Sequence, residues 1–327
     1  KEGIPLKLID LHVHSTASDG SFTPAEVTAL AREAGLTAIA LTDHDTVSGV
    51  GEALAAAGDF PLEVVPGVEL SCLYKEKEIH ILGLYIDHTD KAFLDFLDQA
   101  EIKRNSRNQL MLAAFQKDGF PITMEDLVME NPDTVVTRAH FARALVKKGC
   151  VSSVDQAFKK YLDPDRPYYR KREIITPAEA IQAIRNAGGF PVLAIPAFTG
   201  WVQTEELVRN LKELGLGGME CWHSSNYAEE SNKLCRMADR YSLLPTGGSD
   251  FHGAAKPDIR IGSGRGNLQV PAEYLDALKL AMFLDSKSPA EAGPSWSIFS
   301  MTASTAFRTA SERTAASRWS SPPEMTP

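Results

Sequence analysis

The chain is poor in the features that mark secreted, membrane-spanning or nucleic-acid-coating proteins. It has four cysteines in 327 residues, Cys72, Cys150, Cys221 and Cys235, and no C-x-x-C pair among them. Scattered like this, they read as free thiols in a reducing compartment, and a cytoplasmic location is expected. No run of some 18 apolar residues occurs, so no membrane span or membrane partner is expected. No apolar h-region follows Lys1, so no secretory leader is expected either. Basic residues are outnumbered, 34 Lys and Arg against 43 Asp and Glu, for a net charge of −9. That balance excludes a protein that coats nucleic acid non-specifically, and no stable nucleic-acid complex is expected. A small anionic substrate remains compatible with it, provided metals or a local arginine cluster receive the charge.

What the chain has is a sizeable apolar fraction, 43%, enough for one large α/β domain or one domain with an insertion. Ile4 to Ile9 reads as a strand that empties into Asp10-Leu11-His12-Val13-His14. Alternate side chains of a strand share a face, so His12 and His14 project together, as a metal-ligand pair or as hydrogen-bonded core histidines. Thr23-Pro24-Ala25-Glu26 has the form of a capped helix start, and Gly35 suits its end. Strands are expected at 37–41, at 62–65 with a continuation over 67–71, and at 78–85. An Ala-rich helix between the first two ends at Gly58. Strand–helix alternation of this kind implies a parallel sheet with polar residues gathered where strands end.

From Asp90 the texture changes. Helical patterns fill 91–118, 123–130, 137–148 and 152–161, and no strand is evident before about Arg172. Residues 90–172 are therefore expected to form an all-helical insertion, a cap over the strand-end face of an α/β domain whose two parts are 1–89 and 173–285. Alternation resumes with helices over 177–187, 204–214 and 227–241, strands over 190–194, 217–221 and 243–246, and a last helix over 272–284. Ser, Thr, Ala, Pro and Arg dominate 286–327, where Ile298 is the one branched aliphatic. Such a tail cannot bury enough apolar area to offset its ordering entropy, and its origin, native or not, is open.

Eight histidines are present. His12, His14, His44, His80 and His252 all fall beside carboxylates near expected strand ends. His44 sits in Thr42-Asp43-His44-Asp45, Glu69 in Gly-Val-Glu, and Asp250 and His252 in Gly248-Ser249-Asp250-Phe251-His252. A single Asp-x-His is commonly just a hydrogen-bonded turn. Four such clusters at successive strand ends would repel or desolvate badly unless cations held them, which points to a multinuclear metal site.

Together with Ser18-Asp19-Gly20, these motifs resemble those of the PHP family, the polymerase and histidinol phosphatase-type metallophosphoesterases. The resemblance spans roughly Leu8 to Leu284. It is nearest to the subgroup acting on nucleoside 3′,5′-bisphosphates and short RNA 5′ ends, because Thr137-Arg138-Ala139-His140-Phe141-Ala142-Arg143 is similar to that subgroup's cap motif. It implies a distorted (β/α)7 barrel with an inserted helical cap and two or three divalent ions, Mn, Fe or Zn. It assigns His12, His14, Glu69 and Asp250 to a first metal, Glu69 and His80 to a second, and Asp19, His44 and His252 to a third. An aspartate at 19, where other branches of the family use histidine, favours a harder metal such as Mn.

One departure from the family pattern concerns the second metal. The family has Ala-His-Pro where this chain reads Ala194-Ile195-Pro196, and Ile195 offers no ligand. His223 is the candidate to compensate, or else a packing or surface histidine. His88 reads as solvated.

The chemistry implied is hydrolysis of a nucleotide phosphate ester by a metal-activated water. The leading expectation is the 3′-phosphate of a nucleoside 3′,5′-bisphosphate, or short oligonucleotide 5′ ends. His252 or Asp19 is the expected general acid. Arg138, His140 and the basic run Arg170 and Lys171 are the expected phosphate contacts, with Arg138 first because guanidinium grips phosphate bidentately. Two other functions stay open. One is an amidohydrolase-like C–N hydrolase. The other is a nucleotide-binding protein whose catalysis is impaired by Ile195.

Overall fold

The structure, a computed structural model, describes residues 7–128, 131–170, 175–194 and 201–285. The expectations for Lys171, Ile195 and the tail 286–327 lie outside those residues. Among the described residues no helix is long and apolar enough to cross a membrane.

The fold is a mixed α/β barrel. Its eight strands are β1 (Leu8–Val13), β2 (Ala38–Leu41), β3 (Glu63–Tyr74), β4 (Lys77–Leu84), β5 (Phe190–Leu193), β6 (Gly218–His223), β7 (Leu244–Gly248) and β8 (Val270–Pro271). They form one sheet in the order β7-β6-β5-β4-β3-β2-β1-β8. That is one strand more than the resemblance implies, the extra being the two-residue β8 antiparallel to β1. The sheet nearly closes. Beyond the end of β7, Asp250 N–H donates to His12 O at 2.8 Å, and His14 N–H donates to Phe251 O at 2.9 Å.

Two expectations need correction. The first strand is Leu8–Val13, so it takes in His12 and ends one residue before His14 instead of stopping at Ile9. Ile9, Leu11 and Val13 supply one apolar face at period two, while Asp10 and His12 take the other, so the strand overlaps the motif. The sheet is also not parallel throughout. β3 and β4 form an antiparallel hairpin in register from Gly67–Leu84 to Tyr74–Lys77, and β4 pairs antiparallel with β5. Lys75 and Glu76, both at positive φ, make its two-residue turn. No helix separates these two strands, and a parallel pair needs a long crossover.

Helices α1 (Pro24–Glu33) and α2 (Val50–Ala57) cover β1 and β2. Thr23 caps α1 in a full capping box with Glu26. Between β4 and β5 the described elements are all helical. They are α3 (Lys91–Lys117), α4 (Met124–Val128), α5 (Arg138–Lys147) and α6 (Val154–Ala157), followed by a π-helical turn at Phe158–Leu162. This segment packs its own apolar cluster around Met111, Phe115, Phe141, Leu145 and Leu162, with Tyr168 stacked on Phe115 at 3.9 Å. Each such buried side chain contributes about 1.5–3 kcal/mol. It belongs to the same compact unit as the barrel, which extends to Ala272. Helices α7 (Pro177–Asn186), α8 (Trp201–Glu213) and α9 (Ala228–Arg240) pack on the other strands, with Ile181, Ile184, Leu207, Leu211 and Leu234 in one core with Ile81 and Met219. A second unit begins at Glu273, and α10 (Glu273–Asp285) is its described helix.

Candidate metal centre

The side chains of six strands or strand ends meet inside the barrel. β1 delivers His12, and His14 lies one residue past its end. Asp19 arrives on the loop that follows. Asp43 ties that loop down, accepting from Ser15 N–H at 2.8 Å, Ser15 Oγ at 2.6 Å and Ser18 Oγ at 2.6 Å. Gly20 is required there, because a Cβ would sit 2.6 Å from His14 O. His44 follows β2. Glu69 and His80 stand mid-strand in the β3–β4 hairpin rather than at strand ends. Asp250, at φ 56, holds a left-handed conformation that a non-glycine residue adopts at a cost of about 1–3 kcal/mol. Gly248 lets this loop approach β1, since a Cβ there would meet the His12 Cβ at 2.3 Å.

Glu69 is the hub. Its Oε2 lies 3.3 Å from His12 Nε2, 3.2 Å from His14 Nε2 and 3.1 Å from His44 Nδ1. Its Oε1 lies 2.7 Å from His80 Nδ1. Asp250 Oδ1 stands 3.7 Å from His12 Nε2 and 3.4 Å from His14 Nε2. Asp19 Oδ1 is 3.1 Å from His252 Nε2, and Asp19 Oδ2 is 3.8 Å from His44 Nε2. Donor atoms held at about 2.1 Å from one ion are separated by roughly 3.0–3.4 Å, so most of these spacings are those of coordination edges. Four donor groups result: His14, Asp19, His44 and His252; His12, His14 and Glu69; His44, Glu69 and His80; and His12, His223 and Asp250. They place His14 beside the Asp19 set and His44 beside the Glu69–His80 set, so both imidazoles stand between groups.

A cation is also what the unsatisfied atoms require. His12 Nε2, both nitrogens of His14, Asp19 Oδ1 and His44 Nδ1 are buried and make no hydrogen bond. An unpaired buried polar atom costs about 1–3 kcal/mol, and these all point at common centres. Two rings are prepared as ligands by what they donate. His12 Nδ1 donates to Glu220 Oε1 at 2.9 Å, and His252 Nδ1 donates to Asp250 O at 2.9 Å. In each case the hydrogen is on Nδ1 and the Nε2 lone pair faces the cluster. The donor set of imidazoles and carboxylates therefore fits Mn, Fe or Zn.

The protonation states agree. Burial opposes the charge on Glu69, yet His44, His80 and His12 hold it well below the usual carboxylate range. Against the same burial, His252 and His44 hold Asp19 down, and Lys256 and His252 hold Asp250 down. Burial lowers His252 and pushes His44 down to about 3. For His14 and His80 the carboxylates outweigh burial: Asp250 and Glu69 raise His14 to about 9, and Glu69 raises His80 to about 10.

The cluster opens into a cleft of about 240 Å³ whose lining includes Arg104, Arg107, Arg138, Arg143 and Lys256. Arg138 is the expected phosphate residue that stands there, with Nη2 donating to Glu78 Oε2 at 3.1 Å. The other described candidates are placed differently. His140 is buried, and its Nδ1 accepts the Thr137 N–H at 3.0 Å as part of the capping box of α5. Burial pushes it down to about 4. Arg170 turns its guanidinium onto the carbonyls of Pro167 and Tyr169, at 2.8 and 2.9 Å. His88 is half-buried and belongs to none of the four donor groups. His223, by contrast, is buried against Asp250.

Several residues that matter were not singled out in the sequence. Arg104 is buried, pairs with Asp45 and donates to Ser71 Oγ. Arg143 donates to Asp19 O at 2.8 Å, and Thr137 Oγ1 donates to Asp19 Oδ2 at 2.9 Å, so α5 holds the Asp19 loop from the cleft side. Lys256 contacts Asp250 Oδ2 at 2.6 Å. Asp10 accepts from Ser249 and Gly262 and fastens the Asp250 loop.

Comparison with known proteins agrees with this geometry. The PHP domain model matches residues 10–163. The chain is 37% identical over 250 residues to a 5′-3′ exoribonuclease of Haemophilus influenzae, covering 75% of this chain and 90% of the relative. It is 34% identical over 258 residues to the 3′,5′-nucleoside bisphosphate phosphatase of Chromobacterium violaceum, covering 78% and 90%. Two solved structures share the fold. One, described as an amidohydrolase from Chromobacterium violaceum, superposes with a TM-score of 0.72 at 34% identity over 78% of this chain and 89% of the other. The second, a candidate metal-dependent phosphoesterase from Bifidobacterium adolescentis, gives 0.76 at 29% identity over 86% and 98%. With the donor cluster in place and relatives matched over most of their length, the chain belongs to the PHP-domain family.

Proposed function

We propose that the chain is a metal-dependent phosphoesterase acting on nucleotides, hydrolysing the 3′-phosphate of a nucleoside 3′,5′-bisphosphate or the 5′ ends of short oligonucleotides. The observation that carries this reading is the junction of a buried imidazole–carboxylate cluster with a cleft lined by four arginines and a lysine. His12, His14, Asp19, His44, Glu69, His80, Asp250 and His252 would hold divalent ions, which when bound would supply an activated water and neutralise phosphoryl charge. The Asp19 oxygen, where other branches of the family use histidine, favours a harder ion such as Mn.

The chain's own groups do the rest. Arg138 sits at the cleft wall with its guanidinium half-buried, placed to fork a phosphate that is not cleaved. Arg104 and Arg143 hold Asp45 and the Asp19 backbone, so they keep the donor loops in position. The helical segment 90–172 acts as a cap, since its α3 and α5 furnish the arginines of one wall. The names of the relatives, an exoribonuclease and a bisphosphate phosphatase, support a nucleotide substrate. A C–N hydrolase is the weaker reading despite one relative's description, because a neutral amide makes no use of that cationic wall. The four thiols, free of disulfides, suit a cytoplasmic enzyme.

The test incubates the Mn-loaded protein with adenosine 3′,5′-bisphosphate, adenosine monophosphates and an N-acyl amino acid, reading phosphate release from the nucleotides and free amine from the amide. Release from the bisphosphate that EDTA abolishes is expected. Amide cleavage without phosphate release would overturn the proposal, and nucleotide binding without turnover would favour the impaired-catalysis reading.

A further inference from the structure

His223 differs from His12 and His252 in the hydrogen bond made by the nitrogen turned away from the cluster. It ends β6, is 3% exposed, and stacks obliquely 6.1 Å from His12. Its Nδ1 accepts the backbone N–H of Ser225 at 3.0 Å. A neutral imidazole carries one hydrogen, and a nitrogen that accepts cannot hold it. The hydrogen is therefore on Nε2, the nitrogen that faces the cluster. His12 and His252 show the opposite arrangement, with Nδ1 donating to Glu220 and to a carbonyl and Nε2 left as a lone pair. The same cluster thus contains two tautomers, one able to ligate and one able only to donate.

His223 Nε2 is buried and makes no hydrogen bond; the group it faces is Asp250 Oδ2, 3.4 Å away. Oδ2 receives Lys256 Nζ at 2.6 Å. The other oxygen, Oδ1, is the one facing His12 and His14. The two oxygens of Asp250 are therefore divided between donors outside and the ligand cluster inside. A left-handed backbone at Asp250 persists only where its surroundings hold it, and these contacts are part of them.

We infer that His223 is a positioning residue, a fixed Nε2–H donor that together with Lys256 holds Asp250 Oδ2 so that Oδ1 meets the metal, and that it is not a replacement ligand for Ile195. The inference rests on the metal reading of the cluster. Its rival is explicit, because His12, His223 and Asp250 are close enough to bind an ion as a set.

The deciding measurement is 15N NMR of histidine-labelled protein loaded with diamagnetic Zn2+. The expected spectrum shows His223 with a protonated, pyrrole-type Nε2 and a pyridine-type Nδ1 in both the metal-free and the loaded protein. A deprotonated, zinc-shifted Nε2 with the proton on Nδ1 would overturn the inference. Substitution gives a second readout. His223→Ala should keep the wild-type number of zinc ions but bind them about 10–100-fold more weakly, as loss of an outer partner does. His223→Gln, whose amide N–H reaches the Nε2 position, should recover most of that loss. Loss of one zinc equivalent in both variants would make His223 a ligand. Failure of the wild type to bind zinc at all is a separate result, which would overturn the metal reading and this inference with it.

Discussion

Glu220 offers the sharpest perturbation of the centre, because it touches a presumed ligand without being one. Its carboxylate is fully buried, with Oε1 2.9 Å from His12 Nδ1. That contact keeps the proton on Nδ1 and turns the Nε2 lone pair toward Glu69 Oε2, 3.3 Å away. Glu220→Ala removes the acceptor and frees the ring to rotate or change tautomer. Loss of such a partner weakens metal binding by about 10–100-fold, equivalent to roughly 1.4–2.7 kcal/mol. Glu220→Gln keeps an acceptor at the same place and gives up only the charge, so its loss should be about tenfold or less. The assay is competition between the protein and a chelator for Mn2+ or Zn2+, with a thermal melt of the metal-free variants as a control for folding. A folded Glu220→Ala that binds metal as tightly as the wild type would refute the orientation of His12, and with it the cluster's geometry.

Three further outcomes follow from named contacts. Arg138→Ala should raise KM for a nucleoside 3′,5′-bisphosphate by an amount corresponding to about 2–5 kcal/mol and barely change it for a monophosphate, and equal losses on both would contradict its place at the phosphate that stays. Asp45→Ala leaves the Arg104 guanidinium buried without its carboxylate, so the unfolding free energy in urea should fall by about 3–5 kcal/mol, while a fall below 1 kcal/mol would mean the charge escapes to water. His14 and His80 are raised to about 9 and about 10, so in the metal-free protein their stabilisation is complete below about pH 6.5 and fades as pH rises through 9 and 10; metal binding displaces those protons, so calorimetry at pH 7–8 should show proton release and an affinity that increases with pH.

Most of the candidate ligands carry a local signature in the sequence: a His or carboxylate that interrupts an apolar strand or follows it closely. His12 and Asp250 could be read this way, as could the capped start of α1. The mixed sheet was harder. Lys75 and Glu76 carry none of the Asn-Gly chemistry that announces a two-residue turn, so the β3–β4 hairpin left no mark beyond the missing helix. The arginines of α3 did leave one. Phe93, Leu97, Ala100, Arg104, Arg107, Asn108, Met111 and Phe115 are all buried on α3, and three of them are polar. Charge sitting on an otherwise apolar stripe signals a buried partner or a cleft. Glu220 sends the same signal within Gly218–His223, a strand otherwise buried and apolar up to Cys221. His140 stands three residues after Thr137 and caps α5, a contact that its spacing from Arg138 does not announce. Which nitrogen of His223 bears the proton depends on the Ser225 amide, a backbone contact that side-chain pattern does not encode.

The central claim is that the buried imidazoles and carboxylates exist to hold divalent ions. Anomalous diffraction from a crystal soaked in Mn2+ tests it most directly. The account predicts peaks inside the barrel among His12, His14, Glu69 and Asp250 and among Asp19, His44 and His252, with Glu69 contacting more than one of them. A well-ordered cluster with no anomalous density, its nitrogens and oxygens bonded only to one another, would contradict it.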